Sequence, residues 1–436
     1  MRTLPLLLAT PILLLAAARP LPAQPNPSRA EREIVRAVDA QTNRSIALIE
    51  RVVNINSGTM NFAGVRRVAD VLRPQFDSLG FTTRWVDGTP FNRAGHLVAE
   101  HRGPGPKIVL IGHLDTVFEP SSPFQRFERL TDSTARGPGI IDMKGGDVIA
   151  IAALRALKVA NQLDGMHVVV VLHGDEESAG APLDLARATL RDAARGAAYA
   201  IGLEDGDGDP RTAVIARRSA GGWTLRVKGT PAHSSQVFTD GVGSGAVYEA
   251  ARILTAFHAR LSGEQYLTFN PGLIAGGTLV TVDSTGTVAS VQGKSNVVAE
   301  HATVSGDLRG LTPEQLARAR AAMREMVSAH LPRTSAEIEF HDGYPPMAPT
   351  DGNRRLLAIL DQVSRDVGSG PVGAVDPARA GAADVSFVAD LVPMVIDGIG
   401  LSGWDGHTVN ETADLRQLPA QTRRVAVLLH RLSRQR

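Results

Sequence analysis

His113 and Asp115 stand two residues apart in Gly112-His113-Leu114-Asp115, directly after the apolar run 108–111. Asp142 follows a glycine-rich loop, Gly137-Pro138-Gly139, and shortly precedes Lys144, Gly145 and Gly146. Asp175-Glu176-Glu177 comes just after a run of β-branched residues and leucine at 168–172, and Glu204-Asp205 follows another apolar run at 198–203. His407 comes far downstream, in Gly403-Trp404-Asp405-Gly406-His407. Imidazoles and carboxylates are ligands for borderline-soft divalent cations, and a carboxylate beside such a site can move protons. The chain has no cysteine, so thiolate ligands and disulfides are excluded and any metal site must use His, Asp and Glu. The acidic stretch 204–209 would suit calcium by composition, but it lacks the EF-hand spacing and closing glutamate. Taken singly, an Asp-Glu-Glu run is ordinarily a solvated loop. The ordered set carries the signal.

Bringing these residues together requires a particular scaffold. From Glu31 the chain reads as helix, with Ile34, Val35, Val38, Ile46, Ile49 and Val53 at helical spacing, and a second helix covers 65–79. Short apolar runs at 108–111, 168–172 and 198–203 then alternate with helical stretches at 147–160 and 183–195. This predicts an α/β domain, a mainly parallel sheet with helices on both faces. Such sheets bind ligands at the carboxyl ends of their strands, where each acidic or histidine motif falls. After about residue 217 the texture shifts. Strand patterns at 223–228, 267–274, 279–282, 297–308 and 336–340 mix with helices at 241–261 and 313–330, an α+β insertion. A helix from Asn353, a run at 392–396 and a last helix at 420–432 resume the first pattern. The expected domains are 29–215 with 345–436, and an inserted lid at 216–344.

A chain of 436 residues fits two domains, and its 43% apolar and 21% charged residues are ordinary for a globular protein. Lys plus Arg (46) nearly cancels Asp plus Glu (45), so nothing points to nucleic acid or an anionic membrane as a partner. Arg2, an apolar run over 4–18 and the small residue Ala23 read as a signal peptide over 1–23, hence a periplasmic or secreted protein without a membrane anchor after cleavage. The run is short for a span and is interrupted by Pro5 and Pro11.

The set His113-Leu-Asp115, Gly139-Ile-Ile-Asp142-Met-Lys-Gly-Gly, Asp175-Glu176-Glu177, Leu203-Glu204 and Gly406-His407 resembles the five successive motifs of M20 metallopeptidases. The resemblance runs from about Arg32 to the C-terminus and includes Gly229-Thr-Pro-Ala-His233, Gly276-Gly-Thr278, Asn296 and Arg309. It implies two metal ions per subunit, usually zinc, with cobalt or manganese as substitutes. Asp142 would bridge them, His113 and Glu204 would complete one ion's protein ligands, and Glu177 and His407 the other's. Asp115 would accept the second ring N–H of His113, and Glu176 would be the general base. The bond between Asp142 and Met143 would be cis.

The resemblance also implies a homodimer formed through the lid, in which His233 reaches the partner's site to bind the oxyanion, and Asn296 and Arg309 hold the substrate's terminal carboxylate. The bland reading of Arg309 is an ion pair with Asp307 or Glu314. Relatives selective for C-terminal glutamate carry a basic residue where this chain has Tyr344, which favours a neutral or apolar side chain here. The expected activity is that of a carboxypeptidase or dipeptidase acting on small peptides. An N-acyl-amino-acid deacylase with the same site is the nearest rival, and a catalytically silent binding protein of the same fold the more distant one.

Overall fold

The computed structural model describes residues 27–283 and 286–435. The expected signal peptide lies outside them. Helix α1 (Arg29–Ala40) starts with a capping box, in which the Ser28 hydroxyl accepts the Glu31 amide and the Glu31 carboxylate accepts the Ser28 amide. The single helix expected over this region is broken at Gln41, where α2 (Thr42–Val53) begins. The Gln41 side chain donates to the Ala152 carbonyl and accepts from Arg155, so the break is tied to the helix packed beneath it.

After α3 (Phe62–Asp77), a six-stranded sheet forms from β1 (Thr82–Asp87), β2 (Gly95–His101), β3 (Lys107–His113), β4 (His167–His173), β5 (Tyr199–Gly202) and, much later, β10 (Met394–Ile396). Its order is β1-β2-β4-β3-β5-β10, with β4, β3, β5 and β10 parallel and β2 antiparallel to its neighbours. Strands β3 and β4 are apolar almost throughout because both sheet faces are covered. Ile108, Leu110, Val168 and Val170 face one core, while Val109, Ile111, Val169 and Val171 face the other. Helices α4 (Lys144–Val159), α5 (Leu183–Ala194), α8 (Asp351–Asp366) and α9 (Gln417–Leu432) supply the covering layers. The patterns above do not include β1 and β2. The first, at the sheet edge, has exposed Thr82, Arg84 and Asp87 among half-buried Thr83, Trp85 and Val86, and the second has only Leu97, Val98 and Ala99 as a continuous apolar run.

Residues between β5 and α8 build a second sheet of four antiparallel strands: β6 (Ala220–Lys228), β7 (Thr268–Gly277), β8 (His301–Arg309) and β9 (Ser335–Tyr344), in the order β7-β8-β6-β9. Helices α6 (Gly245–Leu261) and α7 (Pro313–Ser328) cover one face, around Trp223, Leu225, Phe257, Val304 and Met323. α6 starts later than its sequence pattern, because Gly243 before it and Gly245 at its first position adopt positive φ of 70° and 78° and turn the chain into the helix there. Arg217 and Met347, on the two chain crossings between this unit and the first, pair as an isolated antiparallel bridge. Among the described residues, no helix is long and apolar enough to cross a membrane.

Candidate dinuclear metal centre

Three parallel strands deliver the site. His113 is the last residue of β3, Asp175–Glu177 follow β4 after Gly174, and Glu204 lies two residues beyond β5. Gly146, in the first turn of α4, makes this convergence possible: a Cβ there would lie 2.0 Å from the Leu203 carbonyl oxygen. Asp142 sits just before α4, and its peptide bond to Met143 is cis. His407 comes from a loop in which both it and Asp405 have left-handed φ, near 60°, a conformation that non-glycine residues keep only where their surroundings hold it.

The side chains converge on Asp142. His113 Nε2 lies 3.0 Å from one of its oxygens and His407 Nε2 lies 2.7 Å from the other. Glu204 is 3.5 Å from the His113 ring and Glu177 is 3.3 Å from the His407 ring. Two triads result, His113/Asp142/Glu204 and Asp142/Glu177/His407, each with ligand atoms within 4.8 Å of one another. The first is deep, with the His113 side chain 1% exposed, while the second opens outward at His407, 57% exposed.

The electrostatics call for a cation. Burial, and then the Asp142 charge, push the Glu204 carboxyl up to about 8 and raise Glu177. Burial also raises Asp142, but hydrogen bonds with His113 and His407 outweigh it and hold the carboxyl low. Hydrogen bonds to Asp142 and Glu177 push the His407 imidazole up to about 11. Among the described residues, the buried Glu177 Oε1 has no hydrogen-bond partner. These nitrogen and oxygen donors match what zinc and similar divalent ions accept, and such ions would replace the protons that the crowded carboxylates otherwise retain. The residues present fit a pair of metal ions.

Asp115 does more than orient a histidine. The second ring nitrogen of His113 meets the Asp115 main-chain carbonyl at 3.0 Å, while the nearest Asp115 carboxylate oxygen is 3.5 Å away. That carboxylate accepts the amides of Glu176 and Glu177, both at 3.1 Å, and the Thr59 hydroxyl at 2.7 Å. Glu411, not singled out from the sequence, plays a similar part for the Asp142 loop. Its carboxylate, itself buried, accepts the amides of Gly139, Ile141 and Asp142 at 2.9–3.2 Å. Its place four residues after His407 was the available signal.

The remaining candidates stand on the second sheet. His233 is exposed, with Nδ1 2.8 Å from the Ser235 hydroxyl, and it bridges Val297, next to Asn296. Arg309 donates to Asp307 at 2.9 Å, the ion pair of its bland reading. Among the described residues, no hydrogen bond or ion pair joins these three to the two triads.

The model of peptidase family M20/M25/M40 matches residues 109–431, a span that contains every candidate ligand. The chain belongs to this family. It is a hydrolase of the metallopeptidase type. Carboxypeptidase G2 of Pseudomonas sp. (strain RS-16) is 23% identical over 387 residues, covering 88% of each chain. Aminopeptidase PepT of Bacillus cereus has the same fold, with a TM-score of 0.71 at 19% identity, over 90% of this chain and 99% of its own. The YXEP protein of Bacillus subtilis, described as a dinuclear metal binding peptidase of family M20, aligns with a TM-score of 0.62 at 16% identity, over 91% and 99%. Within an M20 fold, the two triads occupy the strand-end crevice where open α/β sheets place their chemistry.

Proposed function

We propose that the protein is an exported, dinuclear zinc carboxypeptidase or dipeptidase that hydrolyses the amide bond before a C-terminal amino acid. The observation that carries this reading is that the two triads share Asp142, with Glu176 adjoining Glu177 in the chain and its side chain engaged in no hydrogen bond among the described residues. When bound, the two ions supply Lewis acidity, polarising a carbonyl oxygen and acidifying water. Glu176 takes a proton from the attacking water and passes it to the leaving amine. Burial raises its carboxyl well above the usual range, which suits a group that must both accept and return a proton. Glu176 and Glu177 lie in the bend and turn after β4, where Glu177 faces the His407 ring at 3.3 Å and Glu176 pairs with none of the candidate ligands among the described residues, so Glu177 can be a ligand while Glu176 is the base.

Dimerisation through the lid belongs to the same reading. Lys228, Gly277 and His301 mark one end of the second sheet, close to His233 and Asn296, whereas Ala220, Thr268, Arg309 and Tyr344 mark the hinge end. About 25 Å of strand separates the ends. His233 and Asn296 are therefore suited to serve a second copy's site and Arg309 its own. Exposed Val247, Tyr248 and Ile274, on α6 and the edge strand β7, offer apolar surface for that contact. Arg309 would exchange Asp307 for the substrate carboxylate, which its planar fork can grip with two hydrogen bonds. Tyr344, where relatives selective for glutamate carry a cation, favours neutral or apolar C-terminal side chains. The pattern over residues 1–23 supports export.

A zinc-reconstituted screen of dipeptides against N-acyl amino acids tests the reading. Faster turnover of dipeptides with apolar C-terminal residues is expected. Turnover of acylated amino acids alone would replace it with a deacylase, and no turnover of either with a binding protein.

A further inference from the structure

The chain crosses between the two units twice, and the crossings hold each other: Arg217 and Met347 exchange both main-chain hydrogen bonds at 2.9 Å. Each crossing also turns one polar side chain into the catalytic unit. On the exit side, the Tyr344 hydroxyl donates to the main-chain carbonyl of Glu176 at 2.7 Å and accepts from Arg187 at 3.0 Å, while its ring packs on Phe387. Arg187 is buried and held in place by the Asp175 carboxylate at 2.8 Å, the Asp175 carbonyl at 3.1 Å and the Asp384 carboxylate at 2.8 Å. On the entry side, Arg217 donates twice to one oxygen of Asp397, at 2.7 and 3.0 Å. The other Asp397 oxygen accepts the amide of Glu204 at 3.2 Å.

The two crossings thus reach the main chain of two residues of the centre, Glu176 directly from Tyr344 and Glu204 from Arg217 through Asp397. Glu176 is the more consequential one. Its side chain has no hydrogen bond of its own among the described residues, so its direction depends on how its main chain is held. The amide is held from within the catalytic unit by Asp115, and the carbonyl from the lid's exit strand by Tyr344. A base must sit within hydrogen-bond reach of its proton, so a small rotation of this segment is enough to misplace it.

We propose that Tyr344 is a positioning residue that couples the lid's exit strand to Glu176, so that the base is aligned only when the lid holds its working orientation. This rests on the reading of Glu176 as the base. Arg217, through Asp397, ties the entry crossing to the ligand Glu204 in the same way.

Tyr344→Phe keeps the ring and its packing and removes only the hydroxyl. With the fastest-hydrolysed member of the dipeptide and N-acyl panel as probe, the variant should stay folded with wild-type zinc content, its melting temperature lowered only by the loss of one buried hydroxyl's hydrogen bonds. Its kcat should fall about tenfold, the scale of one hydrogen bond, with KM unchanged. The deciding measurement is the double variant. If Tyr344 acts through Glu176, Tyr344→Phe should cost nothing further in a Glu176→Gln background. The same fractional loss in both backgrounds, or a change in KM alone, would overturn the proposal while leaving the base intact. Full activity of Glu176→Gln by itself would instead remove the base assignment, and this proposal with it.

Discussion

Asp142 acquires its role from having an imidazole on each oxygen, His113 at 3.0 Å and His407 at 2.7 Å. Around it, carboxylates divide into those that face the proposed metal positions and those that hold the backbone. Glu177 and Glu204 are of the first kind, Asp115 and Glu411 of the second. Side-chain type and order were enough to single out the first kind, because the spacing of His, Asp and Glu along the chain is visible. The backbone holders were only partly legible. The spacing points to Asp115 as a partner for the His113 ring, which its main-chain carbonyl meets at 3.0 Å, while its carboxylate holds the Glu176 and Glu177 amides, a part the spacing does not show. Glu411 is a carboxylate whose value lies in amides 270 or so residues away, which no spacing rule reveals. Two predictions belong at this scale. Glu176→Gln should keep its metal by elemental analysis yet lose roughly 10²–10⁴-fold in kcat, the usual range for a general base; loss of metal instead would move Glu176 among the ligands. Glu411→Ala leaves three buried amides without an acceptor, at about 1–3 kcal/mol each before relaxation. It should lower the melting temperature and release metal to a chelator faster than wild type. Unchanged chelation kinetics would confine Glu411 to a structural part.

The strands and helices that aim these side chains were readable where their periodicity was strong. β3 and β4 are runs of valine, isoleucine and leucine buried on both faces, and each ends where a site motif begins. Such runs leave little choice but a central parallel strand. β1, an edge strand with no buried residue, and β2, buried but with only Leu97, Val98 and Ala99 as an apolar run, gave no comparable signal. The break between α1 and α2 was hidden as well, since the side chain of Gln41 bonds to α4, far along the chain. The contact between α4 and the end of β5 gives an element-scale prediction. Gly146→Ala would drive a methyl group into the Leu203 carbonyl, with the Met143 side chain 2.9 Å away, so α4 must retreat from the strand that presents Glu204. Overpacking of this kind costs about 1–3 kcal/mol. Thermal unfolding should register that loss together with weaker zinc retention, and wild-type values for both would mean the helix does not set the site.

For the whole molecule, the lid is where the substrate-binding candidates lie and where the proposed dimer forms. If His233 completes the partner's site, Glu176→Gln and His233→Ala should each be nearly inactive alone. Mixed in equal amounts and allowed to exchange subunits, they should recover roughly one quarter of wild-type activity, since about half the dimers are mixed and each has one intact site. No recovery after confirmed exchange would confine His233 to its own chain. More central than the dimer is the pairing of two ions on one carboxylate, and counting zinc per subunit tests it most directly. Elemental analysis of zinc-loaded, folded protein should give two ions for wild type and about one for Glu177→Gln. Asp142→Ala, which removes the ligand common to both triads, should hold close to none. A wild-type protein saturating at one ion, or an Asp142→Ala protein that still holds two, would contradict the shared centre.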